Sequence, residues 1–165
     1  MFSTTCEYAL RALVFLARLP SGDSVIGRDL ARSADIPANY LSKILTTLHK
    51  AGVLTTARGT RGGYRLKKTP TEIRLVDIVE LFDIARAKPA CLLGAKDCSD
   101  ENPCSAHEMW RDVRDSYRKF LENTTLAQIS AEGVDNSASA GHYRTRSEQG
   151  ASRRSPGGVQ NPASE

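Results

Sequence analysis

Cys91, Cys98 and Cys104 share one polar stretch with His107, directly ahead of an amphipathic segment that begins near Met109. Thiolates bind soft metals, an imidazole can complete such a site, and a loop carrying Gly94 and Pro103 can wrap around a centre that a rigid element could not. The set fits a metal or an iron-sulfur cluster. A closed tetrahedral zinc site would use the same three cysteines and histidine. A disulfide between two of the cysteines would make a redox switch with no metal at all. The chain has four cysteines, three of them bunched, which does not resemble a secreted framework in which half-cystines staple distant loops. A thiol redox enzyme is not indicated, because there is no Cys-x-x-Cys at a helix start, no phosphate-binding glycine loop and no βαβ pattern. No enzymatic activity is expected.

The elements that must position these residues begin with the chain's size: 165 residues with 40% hydrophobic content suit one modest domain plus a tail. The longest apolar run, Ala12 to Ala17, is far too short to span a bilayer, and no charged stretch precedes a cleavable apolar one at the N-terminus. The expectation is a cytoplasmic protein with no membrane association. From 134 onward there is no Leu, Ile, Phe, Met or Trp. Such a segment buries too little apolar surface to offset its ordering entropy, so 134–165 reads as a disordered tail. Its pairs Arg144/Arg146 and Arg153/Arg154 add weak attraction to nucleic acid.

Charge is distributed unevenly. Residues 28–68 carry nine basic and two acidic side chains, whereas 69–133 carry eight basic and twelve acidic ones. The first region is built to meet a polyanion, since each phosphate neutralised by Lys or Arg releases counterions. A Thr4-Thr5-Cys6-Glu7 capping box opens a first helix with Leu10, Leu13, Val14 and Ala17 at helical spacing, ended by Pro20-Ser21-Gly22. A second helix fits Gly27 to Ala34 and is broken at Asp35-Ile36-Pro37. A third starts at Ala38 or Asn39, places Leu41, Ile44, Leu45 and Leu48 on one face, and stops at Gly52. Two short helices joined by a tight turn make a helix-turn-helix.

Val53 to Arg58 and Tyr64-Arg65-Leu66 then read as two strands around the turn 59–63, a hairpin with a basic tip. A helix-turn-helix followed by such a hairpin is a winged helix, whose third helix enters the major groove while the wing touches backbone or minor groove. With 41, 44, 45 and 48 turned inward, Asn39, Tyr40, Ser42, Lys43, Thr46, His49 and Lys50 face out. Asn39, Ser42 and Lys43 are best placed for base edges, and Arg58, Arg61 and Arg65 are the wing contacts. A short strand at Ile73 to Leu75 should close the wing region, followed by a helix carrying Val76, Val79 and Phe82. Trp110, Val113, Tyr117, Phe120, Leu121 and Thr124 form a stripe that calls for a partner surface, met by a homodimer on a palindromic double-stranded operator. Thr125-Leu126-Ala127-Gln128 caps a short last helix through Ile129.

The fold class expected is mainly α with a small β-wing: a winged helix-turn-helix domain plus a long C-terminal dimerisation helix. The divisions are a DNA-binding domain at 1–88, a cysteine-rich loop at 89–107, the dimerisation and terminal helices at 108–133, and the tail.

The chain resembles the bacterial iron-sulfur winged-helix regulators that include IscR, NsrR and RirA, the Rrf-two superfamily. The features that carry the likeness lie between residues 1 and 130. They are Glu7-Tyr8-Ala9-Leu10-Arg11-Ala12-Leu13, Tyr40-Leu41-Ser42-Lys43, the wing from Arg58 to the Gly62-Gly63-Tyr64 ending, the three cysteines, and the Trp110-centred helix ending in Thr124-Thr125-Leu126. The resemblance implies a homodimeric transcriptional repressor that senses iron-sulfur status, redox stress or nitric oxide through a cluster on Cys91, Cys98 and Cys104. It also implies a fourth ligand that varies between branches. His107 matches the branch with a 2Fe-2S cluster, and Glu7 matches branches that take a carboxylate from the first helix and carry 4Fe-4S or 2Fe-2S. Cys6 is a third choice. This chain departs from the IscR spacing, with six residues rather than five between the first two cysteines.

Overall fold

A computed structural model of the chain describes residues 2–57, 62–84 and 90–131. Arg58 and Arg61 of the expected wing tip, and the tail 134–165, lie outside the described residues. The architecture is mostly helical with one small antiparallel hairpin, in agreement with the expected fold class.

Helix α1 (Thr4–Ala17) buries Ala9, Ala12, Leu13 and Leu16. Its cap differs from the expected box. Ser3, not Thr4, is the N-cap, its Oγ accepting from the Cys6 N–H at 3.3 Å. The Ser3 N–H in turn donates to the Asp83 carboxylate at 2.7 Å. That long-range bond draws the chain reversal one residue upstream, so Thr4 is already helical and Glu7 stands exposed on the first turn with no capping role.

Helices α2 (Gly27–Ser33) and α3 (Ala38–Lys50) form the helix-turn-helix. Asp35 takes a left-handed backbone (φ 52°) between them, and the Ile36 N–H closes the turn on the Ala31 carbonyl at 2.8 Å. Helix α3 buries Leu41, Ile44, Leu45 and Leu48 as its period requires. It ends in a Schellman motif: Gly52 (φ 73°) donates to His49 and Val53 donates to Leu48, both at 3.0 Å.

Strands β1 (Leu54–Ala57) and β2 (Gly63–Leu66) pair antiparallel in the register Leu54↔Leu66 and Ala57↔Gly63. On its other side β2 meets Val25, with N–H···O bonds of 2.8 and 3.1 Å exchanged between Val25 and Tyr64. The wing is thus fastened to the segment that leads into α2. Gly63 is where this happens. Its φ is 153°, and a Cβ there would fall onto the Val25 carbonyl, so glycine alone fits this approach.

The expected strand at Ile73 to Leu75 is replaced by a 3-10 turn (Pro70–Glu72) and helix α4 (Leu75–Phe82). The alternation of Ile73 and Leu75 does bury both, but their extended pairing is with the C-terminal end rather than the wing. Arg74 bridges Thr125, the Leu75 N–H donates to the Thr124 carbonyl, and the Leu126 N–H donates to the Ile73 carbonyl.

Helix α5 (His107–Asn123) is the long helix, and α6 (Leu126–Ser130) follows it behind the Thr125/Gln128 capping box that its sequence signals. Leu126 belongs to the core shared by α1, α2 and α3, while Leu121 joins Cys6, Leu75 and Val79 in a second cluster. The far end of α5 is therefore rooted in the winged domain. Among the described residues no helix is long and apolar enough to cross a membrane.

Replacing Gly63 with alanine forces the wing away from Val25. Thermal or urea unfolding of Gly63→Ala should show a stability loss of about 1–3 kcal/mol; a midpoint equal to that of the parent would mean the close approach at Val25 does not hold the wing.

Candidate functional site

The cysteine loop returns on itself through local turns. The Gly94 N–H donates to the Cys91 carbonyl at 3.0 Å, with Gly94 in the left-handed region (φ 70°). Further on, Ser99 and Asn102 exchange backbone hydrogen bonds of 3.2 and 3.3 Å, and the His107 N–H donates to the Cys104 carbonyl at 2.9 Å. The first turn of α5 holds both parts of the loop. The Trp110 indole N–H donates to the Ala90 carbonyl at 2.7 Å, beside the first cysteine. His107, nearly buried, meets the second cysteine through Nδ1, 3.1 Å from Cys98 Sγ.

These turns bring the three thiols together: the Sγ atoms of Cys91, Cys98 and Cys104 all lie within 4.8 Å of one another, and those of Cys91 and Cys104 are 3.5 Å apart. A tetrahedral ion with metal–sulfur bonds of about 2.3 Å holds its sulfurs ~3.8 Å apart. The triangle therefore has the dimensions of a thiolate metal site, and soft sulfur donors suit zinc, iron or an iron-sulfur cluster. His107 stands beside the triangle and touches it at Cys98. The other expected candidates do not join this group. Glu7 is exposed on α1, and Cys6 is fully buried among Leu75, Val79 and Leu121, where it serves the core.

The electrostatics of the three thiols differ. Backbone N–H groups of Leu93 and Ala95, helped by the neighbouring thiols, lower Cys91 to about 7. Cys98 receives a hydrogen bond from the Cys104 backbone that favours its thiolate. Desolvation and the charge on the two neighbouring sulfurs outweigh it, so Cys98 rises above the usual thiol range. Asp100, the acceptor for His107 Nε2 at 2.8 Å, is held below the ordinary carboxylate range by that hydrogen bond and by the nearby Arg111 guanidinium.

The second surface is α3. Asn39, Tyr40, Ser42, Lys43, Thr46, His49 and Lys50 are all exposed. Thr46 Oγ1 donates back to the Ser42 carbonyl at 2.9 Å. Tyr40 packs edge-on against Tyr8 of α1, at 6.1 Å between centroids, and Arg11 covers the Tyr8 ring while pairing with Asp35 at 3.3 Å. Arg65 is exposed on β2 and reaches the Gly22 carbonyl at 3.4 Å.

Comparison with known proteins places these two surfaces in context. The sequence profile of the Rrf2 family, described as iron-dependent transcriptional regulators, matches residues 2–132. The chain belongs to the Rrf2 family. A candidate HTH-type transcriptional regulator of Aquifex aeolicus is 37% identical to it over 131 residues, covering 78% of this chain and 90% of the relative. The transcriptional regulator IscR of Yersinia pestis is 30% identical over 123 residues, covering 74% of each chain. The solved structure of CymR, the global cysteine regulator of B. subtilis, superposes with a TM-score of 0.69 at 24% identity, covering 81% of this chain and 98% of CymR. That likeness is one of fold.

Two residues of this Rrf2 chain's thiol site escape sequence reasoning. Asp100 lies in a loop without periodicity, and nothing in its local sequence ties it to His107. Trp110 reads as one more member of an apolar stripe, although its indole fastens the loop. The stripe itself divides: Leu121 is buried and Tyr117 half-buried on the chain's own domain, while Val113 and Phe120, with Met109, are more than half exposed.

The thiol asymmetry has a direct readout. Cys91 gains its charge as pH rises through about 7, and Cys98 gains its charge only well above that. In metal-free reduced protein at pH 7.5, iodoacetamide should label Cys91 faster than Cys98 by peptide mass spectrometry, with Cys91 labelling falling away below pH 7. Equal rates at the two sites would contradict the assigned environments.

Proposed function

We propose that this Rrf2-family regulator is a homodimeric repressor that reads a palindromic double-stranded operator. In this reading it holds an iron-sulfur cluster, 2Fe-2S by preference, on Cys91, Cys98, Cys104 and His107. Three thiol sulfurs within 4.8 Å, beside a buried imidazole, carry this reading. They sit on a chain whose exposed third helix presents Asn39, Ser42 and Lys43. Such a cluster, when bound, supplies a centre that iron shortage, oxidants or nitric oxide degrade or alter.

The chain's own residues do the rest. Asn39 suits bidentate pairing with adenine, Lys43 suits guanine, and Ser42, Tyr40, Thr46 and Lys50 suit phosphate or base edges. Arg65, with Arg58 and Arg61, supplies the wing's charge. The exposed face of α5 formed by Met109, Val113 and Phe120 supplies the subunit contact, so two α3 helices address two half-sites. Ordering of the loop 90–106 by a bound centre fixes the start of α5, and the root of α5 at Leu121 carries that order to the DNA-binding domain.

The compactness of the sulfur triangle favours a second reading, a single tetrahedral zinc ion that stabilises the same regulator. Protein purified without oxygen decides between them. The cluster reading expects visible absorbance with stoichiometric iron and sulfide, and a colourless zinc-loaded sample would replace it.

On duplexes selected from a random pool, cluster-loaded and cluster-free protein should differ in affinity by roughly 5- to 150-fold, the size of a coupling of one to three kcal/mol. Equal affinity and equal sequence preference would remove the sensing role. Lys43→Ala should weaken specific binding by about 1–3 kcal/mol and relax discrimination at one base pair. Val113→Glu places a charge in the α5 face and should shift the sedimentation coefficient to that of a monomer; an unchanged dimer would move the interface elsewhere.

A further inference from the structure

We propose that Asp100 is a positioning residue that selects the imidazole tautomer of His107 and turns its Nδ1 toward the sulfur triangle. The inference rests on the thiolate-centre reading above and adds to it a residue outside the ligand set.

The argument is one of hydrogen-bond inventory. His107 Nε2 lies 2.8 Å from Asp100 Oδ1, and Nδ1 lies 3.1 Å from Cys98 Sγ. An ionised carboxylate only accepts. The Nε2–Asp100 bond therefore requires the ring proton on Nε2, and a neutral ring then keeps its lone pair on Nδ1, the atom facing the sulfurs. Without Asp100 the proton could sit on Nδ1, which would donate to a thiolate and be useless to a metal, or the ring could rotate. Metal-bound histidines commonly give their second N–H to such a carboxylate for this reason.

The carboxylate is itself held. Arg111 Nη1 lies 3.6 Å from the same Oδ1, and Arg111 follows His107 by four residues, so both groups project from one face of α5. His107 is buried with a side-chain exposure of 6%, whereas the Asp100 side chain is 76% exposed. Asp100 thus adds little to packing. Its removal should disturb the imidazole and leave the fold intact.

Cobalt(II) is the probe, titrated into the full-length, reduced, metal-free protein without oxygen. Its visible spectrum separates three sulfurs plus nitrogen from three sulfurs plus water. Wild type should give the nitrogen-containing spectrum. Asp100→Ala should bind cobalt 10- to 100-fold more weakly and move toward the spectrum of His107→Ala, while Asp100→Glu, which restores an acceptor, should move back toward wild type. In the His107→Ala background, adding Asp100→Ala should change neither affinity nor spectrum. Two-bond proton–nitrogen spectra of the metal-free protein give a second readout, with the His107 proton on Nε2 in wild type.

The proposal is overturned by wild-type-like cobalt binding in Asp100→Ala, by an Asp100→Ala effect that persists without His107, or by a proton found on Nδ1. If wild type itself takes up no cobalt on its cysteines, the thiolate-centre reading falls and this inference with it. If wild type binds and Asp100→Ala is indistinguishable from it, only the role of Asp100 falls.

Discussion

The grip of α5's first turn on the cysteine loop is the constraint on which the rest of the site depends. A loop of this length with three half-buried thiols needs anchors to hold them together, because backbone entropy favours their separation. Trp110 fixes the loop's start at Ala90, His107 meets Cys98, and the His107 amide closes on Cys104. All three anchors come from one helical turn, so the loop's own turns and the Cys91–Cys104 contact are set against a rigid reference.

That reference has a second end. The helix spans 17 residues, about 25 Å at the usual rise, and finishes where Leu121 and Leu126 are fully buried against α1 and α4. The pairing of Ile73 and Leu75 with the chain around Thr125 adds backbone hydrogen bonds to this root. A well-packed junction of this kind transmits displacement rather than absorbing it. The same helix therefore touches the thiol loop with its first turn and the body that carries α3 with its last, joining the proposed sensing and reading parts.

Legibility in the sequence followed periodicity. Helix α3 was readable because Leu41, Ile44, Leu45 and Leu48 repeat at helical spacing, and the wing because two β-prone runs flank a glycine turn. The capping box at Thr125 was readable because it is purely local. The first helix's cap was not, since Ser3 wins through a bond to Asp83, eighty residues away. Ile73 and Leu75 alternate like a strand, and they do pair in extended form, but their partner is remote in sequence and could not be inferred from the alternation. The cysteine spacing announced a candidate soft-metal site, and the three sulfurs do lie together. It carried no information on Asp100, whose role exists only once the loop has folded back onto α5.

Electrostatics give the two surfaces a common orientation. The segment 28–68, with α3 and the wing, is strongly basic, and the segment 69–133, with the thiol loop and α5, is acidic. A duplex attracts the first and repels the second, so encounter is steered with α3 toward the phosphates and the loop away from them. A centre held by three thiolates adds negative charge, and near phosphate it would oppose binding outright at the separations where screening is weak. The 17-residue helix, about 25 Å long at the usual rise, separates the thiol loop at its first turn from its root in the domain that carries α3 by about three Debye lengths at 0.15 M salt. Charge at the thiol loop is therefore largely screened at the root of α5, and the packed helix itself is the stronger physical connection between the two ends.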